Sequence, residues 1–125
     1  MAAGLATLRQ LSPASYAALS ESSQKLCQGL RGLADDNKIA LAVAHCAGMW
    51  GICFSNQPVS SYEQLMECDS HRYSSFFNGM LHKGVYLPPS AYEACFVSLA
   101  HAPQQIEKTL LSAAHVFENM RKNVA

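Results

Sequence analysis

Pro88 and Pro89 stand side by side within the run GVYLPPSAYEACFVSLAH, residues 84–101. Neither proline has a backbone N–H to donate, and each pushes the residue before it onto an extended path. A helix therefore cannot pass through this run, although most of its residues are apolar. The chain has to enter and leave as extended segments. VYL at 85–87 and CFVSL at 95–99 read as two short strands on either side of a stiff loop. That loop carries one acid, Glu93. Most glutamates are simply solvated. A carboxylate on a rigid loop between strands is different, because it is held at a fixed point where it can meet a cation.

The rest of the chain alternates between the two periodicities. Ser12-Pro13 opens a helix with a capping residue followed by proline at the first helical position. Its apolar seam runs Tyr16, Leu19, Leu26, Leu30 and Leu33, with Ser23 in the gap, and Asp35-Asp36-Asn37 ends it. Gly29 and Gly32 weaken its later turns by up to about 1 kcal/mol each relative to alanine. IALAVAH (39–45) and MWGICF (49–54) alternate about Ala47-Gly48, which predicts a hairpin. Ser55 to Glu67 reads as an irregular connection with one helical turn near Tyr62 to Met66. Asp69 caps a helix through Tyr73, Phe76, Phe77, Met80 and Leu81 to Gly84, a residue suited to the left-handed cap. The last helix starts at Pro103 and carries Ile106, Leu110, Ala113, Phe117 and Met120 at four-and-three spacing. Ala2 to Leu11 also reads helical but has no cap. This order predicts an α+β domain with a small antiparallel sheet of three to four strands packed with helices.

Composition narrows the function classes. A chain of 125 residues is one ordinary domain. Only 14% of residues are charged, against about 25% in a typical soluble domain. The shortfall means either an unusually apolar surface or a face that belongs against something else. Net charge is zero, with no basic block, so neither nucleic acid nor an anionic membrane is expected as a partner. No apolar run approaches the ~18–20 residues of a membrane span, and MAAGLATLRQL has no basic stretch ahead of its apolar residues to mark it as a leader. The five cysteines, Cys27, Cys46, Cys53, Cys68 and Cys95, are odd in number and include no CxxC pair. A reducing, cytoplasmic setting fits them better than a disulfide framework. A metal site is not expected: His45 and Cys46 are neighbours that point to opposite faces of a strand, and no H-x3-H pair is present. Cys95 lies near His101, but Ala94 and Phe96 flank it as they would a core cysteine. Gly48 and Gly51 sit at a hairpin, not ahead of a helix, so they form no phosphate loop. Tyr73, Phe76 and Phe77 have the spacing of core packing.

The run at 84–101 resembles the C-terminal signature of the glutamate-1-semialdehyde 2,1-aminomutase family, which reads approximately GVYLAPSxFEAGFxSxAH. MAAGLATL (1–8), GMWGICFS (48–55) and CDSHRYSSFFNGMLHKGVYL (68–87) resemble other segments of that family in the same order. The family is a branch of the class III aminotransferases, which depend on pyridoxal phosphate. The resemblance implies the C-terminal small domain of a fold-type I enzyme over residues 12–125, with residues 1–11 as a helix leading in from a large domain that this chain lacks. That large domain would hold pyridoxal phosphate or pyridoxamine phosphate, leaving no cofactor-binding residue here and the isolated chain inactive. It would also be the chain's partner, in a full-length homodimer acting on a small-molecule substrate. The reaction so implied is conversion of glutamate-1-semialdehyde to 5-aminolevulinate, by way of a diamine, for tetrapyrrole biosynthesis.

By the same resemblance Glu93 is the catalytic residue, facing substrate amino groups, while Ser90, Ser98 and His101 fall on motif positions as substrate-positioning residues. Pro88 stands in place of an alanine, Tyr92 of a phenylalanine and Cys95 of a glycine. A cysteine would strain the loop if that glycine position needs a positive φ. Trp50 and Cys53 replace phenylalanines, and Ala102 sits where the family often has a capping hydroxyl. Two other readings are open. One is a domain of a different class III aminotransferase, many of which place an arginine here; none occurs between Arg72 and Arg121. The other is a stand-alone, non-catalytic interaction module.

Overall fold

The computed structural model describes residues 1–122. The element order is α1 (Ala2–Leu8), α2 (Pro13–Asp36), β1 (Ala42–Cys46), β2 (Met49–Cys53), α3 (Tyr62–Met66), α4 (Ser70–His82), β3 (Cys95–Phe96) and α5 (Pro103–Lys122). Local chemistry sets most of these limits. The Ser12 hydroxyl accepts from the Ser15 amide to start α2, and Asp69 accepts from the Arg72 amide to start α4. Ser61 and Gln64 form a capping box on α3. Helices α2 and α4 end in the same six-to-one arrangement. Ile39 N donates to Ala34 O and Lys38 N to Asp35 O; Val85 N donates to Met80 O and Gly84 N to Leu81 O. The left-handed residue is Gly84 in one case (φ 79°) and Lys38 in the other (φ 57°). No residue of α1 is buried. The boundary expected at residue 125 lies outside the described residues.

The sheet has three strands in the order β1-β2-β3, both pairs antiparallel. The α+β reading therefore holds, with two strand assignments corrected. VYL at 85–87 is not a strand. Val85 has already given its N–H to the end of α4, and Pro88 and Pro89 have none to give. CFVSL pairs only at Cys95 and Phe96. Its rungs are Trp50↔Cys95 and Met49↔Phe96; Met49 is the first residue of β2, so no further partner exists. Val97 instead donates to Gly48 O at 2.9 Å.

Three helices supply most of the core. Ser23, Leu26, Cys27, Leu30 and Ala34 are buried on α2, so the stripe is turned slightly from the expected seam, and Tyr16 stays exposed. α4 buries Tyr73, Phe76 and Met80; α5 buries Ile106, Ser112, Ala113, Val116 and Phe117. Phe76 stacks on Phe117 at 4.8 Å and meets Phe54 edge-on at 5.9 Å. Gly29 is more than a weak link, because a Cβ there would lie 2.6 Å from Leu110 Cδ2. The Leu110 side chain of α5 occupies the space a side chain at Gly29 would need, whereas Gly32 faces open space.

Strand alternation places Val43, Trp50, Ile52 and Cys95 on the face that joins the helical core. The other face carries Ala42, Ala44, Cys46, Met49, Gly51 and Phe96, and its Met49 and Phe96 remain 43% and 68% exposed. The hairpin tip is fixed to α2. Ser23, fully buried, bonds through its hydroxyl to the Ala47 carbonyl, and Ala47 takes a left-handed φ of 49°.

Trp50 is buried, yet its Nε1 has no hydrogen-bond partner. An orphan buried donor costs about 1–3 kcal/mol. Trp50→Phe removes that donor while keeping an aromatic ring, so urea unfolding should show no loss, or a gain of about 1 kcal/mol. A clear loss would mean that the indole packing outweighs its unpaired N–H.

Candidate functional site

The loop that presents Glu93 is built by three hydrogen bonds. Tyr73, buried on α4, donates its phenol to Pro88 O at 2.8 Å. Ser90 Oγ accepts from Tyr92 N at 3.2 Å. Glu93 N donates to Ser90 O at 3.2 Å, and β3 follows at once. Burial, with Cys95 and Glu93 nearby, pushes the Tyr73 phenol up to about 12, so it stays a protonated donor at neutral pH. Tyr73 reads from sequence as plain core packing. Its second role was hidden because the partner carbonyl lies fifteen residues away and belongs to a loop. Tyr73→Phe keeps the ring and loses the bond. It should cost about 0.5–1.5 kcal/mol in urea unfolding, with faster hydrogen exchange at the Glu93 amide.

Glu93 is exposed and borders two cavities. The larger, about 740 Å³, lies against the sheet and is walled by residues 55–59 and 91–94. Arg31 also borders it, holding Val43 O through Nη2 at 2.9 Å. A carboxylate and a guanidinium thus flank one space, and nothing in the spacing of the sequence marked Arg31. The smaller cavity, about 460 Å³, runs between residues 85–89, β3 and the start of α5. His101 borders it together with Glu93. His101 Nδ1 accepts from Ser98 N at 2.9 Å, with Ser98 Oγ at 3.2 Å. An Nδ1 that accepts leaves the ring proton on Nε2. Glu93 and His101 are therefore brought to one groove. Ser90 and Ser98 line neither cavity and act on the backbone turns beside it.

Cys95 does not strain this loop. Positive φ occurs at Lys38, Ala47 and Gly84 among the described residues, and Cys95 is an ordinary strand residue. Its thiol is buried and pushed up to about 11, mainly by that burial. The substitution at Pro88 leaves its carbonyl free for Tyr73. Ahead of α5, Ala102 O accepts from Gln105 N and Ile106 N, while its methyl offers the helix no side-chain cap.

None of the five lysines, Lys25, Lys38, Lys83, Lys108 and Lys122, borders either cavity. The residues here therefore do not fit pyridoxal phosphate, which needs an amine to anchor it. Among the described residues no three His, Cys, Asp or Glu side chains gather as a metal site, and no helix is long and apolar enough to cross a membrane.

No protein-family model matches the chain. It is, however, 39% identical over 122 residues to a glutamate-1-semialdehyde 2,1-aminomutase from Roseiflexus castenholzii, an alignment that takes in 97% of this chain and 28% of that protein. The chain is a sequence relative of the glutamate-1-semialdehyde 2,1-aminomutases. It spans little more than a quarter of the length of this aminomutase. Solved structures place the fold among transaminases. An omega-transaminase from Sphaerobacter thermophilus superposes with a TM-score of 0.79 at 17% identity, over 95% of this chain and 27% of that one. A transaminase with pyridoxal phosphate bound gives 0.80 at 12% identity, over 96% and 27%. A β-phenylalanine aminotransferase from Variovorax paradoxus gives 0.73 at 20% identity, over 82% and 23%. At these identities the transaminases share the fold with this chain; the sequence likeness is to the aminomutase.

Proposed function

We propose that the chain serves as the C-terminal small domain of a pyridoxal-phosphate-dependent glutamate-1-semialdehyde 2,1-aminomutase, a cytoplasmic isomerase that yields 5-aminolevulinate. The observation that carries this reading is the 39% identity sustained over 97% of the chain. The transaminases of the same fold reach only 12–20%. In this reading a larger cofactor-bearing domain, in a homodimer, faces the apolar side of the sheet where Met49 and Phe96 are exposed. Glu93, fixed by the Ser90 turn and the Tyr73 bond, holds the substrate's ammonium through a charge-assisted hydrogen bond. Ser90, Ser98 and His101 position the loop and its groove. Alone, the chain is inactive.

The test is a fusion. The chain replaces its homologous segment in the Roseiflexus castenholzii enzyme, and conversion of glutamate-1-semialdehyde is measured. Turnover supports the proposal. A fusion that binds cofactor but needs a separate amino donor points to another aminotransferase. One that folds, yet neither binds cofactor nor turns over, points to a non-catalytic module. Within an active fusion, Glu93→Gln should lower kcat about tenfold or more and leave the cofactor absorbance unchanged. Unaltered turnover would return Glu93 to the class of solvated acids.

A further inference from the structure

Two of the five cysteines meet in space although they are far apart in sequence. Cys53 closes β2, and Cys68 directly precedes the Asp69 cap of α4. A backbone bond one residue further on, from Asp69 N to Phe54 O at 3.0 Å, draws these two segments together. The Cys68 thiol lies beside that of Cys53, close enough to raise its pKa. Cys53 is buried, while Cys68 is only half-buried and rests its Sγ 3.4 Å from Gln64 O. One sulfur is thus accessible and the other waits behind it.

We propose that Cys53 and Cys68 form a reversible disulfide when the chain meets a low-molecular-weight disulfide such as oxidised glutathione. The Cys68 thiolate attacks one glutathione sulfur, forming a mixed disulfide and releasing the first glutathione thiolate. The Cys53 thiol gives its proton to solvent and attacks Cys68 Sγ, releasing the second. Two electrons pass from the protein to glutathione, and both products are thiols. The other cysteines do not compete. Cys27 and Cys95 are neighbours, but both are buried, with no accessible sulfur to begin the exchange. Cys46 is exposed on the open sheet face, where it takes a mixed adduct.

The bond would close the loop of residues 54–67. Ser55, Gln57, Val59 and Leu65 of that loop wall the larger cavity beside Glu93. Oxidation would therefore fix one wall of the candidate site. This inference concerns the thiols alone and stands apart from the proposed activity.

The test uses the 125-residue chain incubated with oxidised glutathione near pH 8.5, then quenched, alkylated and digested. The expected product is a Cys53–Cys68 linked peptide, with an intact mass lower by two hydrogens before alkylation and restored by dithiothreitol. Cys46→Ser should leave its yield unchanged. Cys68→Ser should abolish it and leave Cys53 alkylated only after denaturation. A stable glutathione adduct at Cys68 with Cys53 still reduced would overturn the proposal. So would a Cys27–Cys95 link, or a scrambled mixture of pairs.

Discussion

Between pH 9 and pH 10 the folded chain is expected to lose about 3 kcal/mol of stability, visible as a steep fall in the urea midpoint. The cause is three buried thiols. Burial lifts Cys27 from 9.0 to about 11, against a small opposing pull from Arg31. Cys53 rises to about 12, through burial and then its Cys68 neighbour, and Cys95 rises to about 11. Below about pH 8 both folded and unfolded chains keep these protons, and the stability they permit is fully present. Above pH 9 the unfolded chain sheds them while the folded chain does not. Each thiol then favours unfolding by about 1.4 kcal/mol per pH unit, until the pH passes the folded values of about 11–12. Tyr73 adds to the loss once the pH exceeds 10. Replacing any one of the three thiols with alanine should remove about a third of the slope. Cys46→Ala, at an exposed thiol, should leave it intact. A midpoint that stays level to pH 10 would show that these thiols ionise as readily folded as unfolded.

Phe76→Ala should be the most damaging single truncation, costing about 3–5 kcal/mol. Phe76 is completely buried, stacks on Phe117 from α5 and meets Phe54 just after β2. One side chain thus joins α4, α5 and the sheet. Total stability for a domain is about 5–15 kcal/mol, so a large share would go. Phe77→Ala, one position along, is the control. Phe77 is half-buried at the margin of the core, where its ring meets the exposed Tyr86 at 6.2 Å, and its loss should cost about 1 kcal/mol. Equal effects at the two positions, read by urea unfolding, would contradict the described packing of α4.

Elements defined by neighbours in sequence were legible in it. The caps at Ser12 and Asp69, the left-handed Gly84 and the hairpin about Ala47-Gly48 all follow from local chemistry. The misreadings came where a distant group takes up a bond. Val85 and Leu87 alternate like a strand, but the N–H of Val85 already serves α4. Val97 reads as strand, but its partner strand has turned away. Ser23 looked like a gap in an apolar seam, and nothing near it reveals that its hydroxyl meets the Ala47 carbonyl. Glu93 was singled out by its stiff loop and by resemblance. Tyr73 and Arg31, which reach that loop and its cavity from two helices, gave no sequence signal because their partners are backbone carbonyls.

The brevity of β3 has a thermodynamic corollary. The stretch bearing Glu93 is tied to the sheet by two rungs and to α4 by one phenol, while the stacked rings of the core lie elsewhere. Displacing it breaks those links and draws Cys95 out of the core, but leaves Phe76 on Phe117. The molecule therefore has two distinct opening energies. The larger belongs to the domain as a whole, and the smaller belongs to the aim of a single carboxylate.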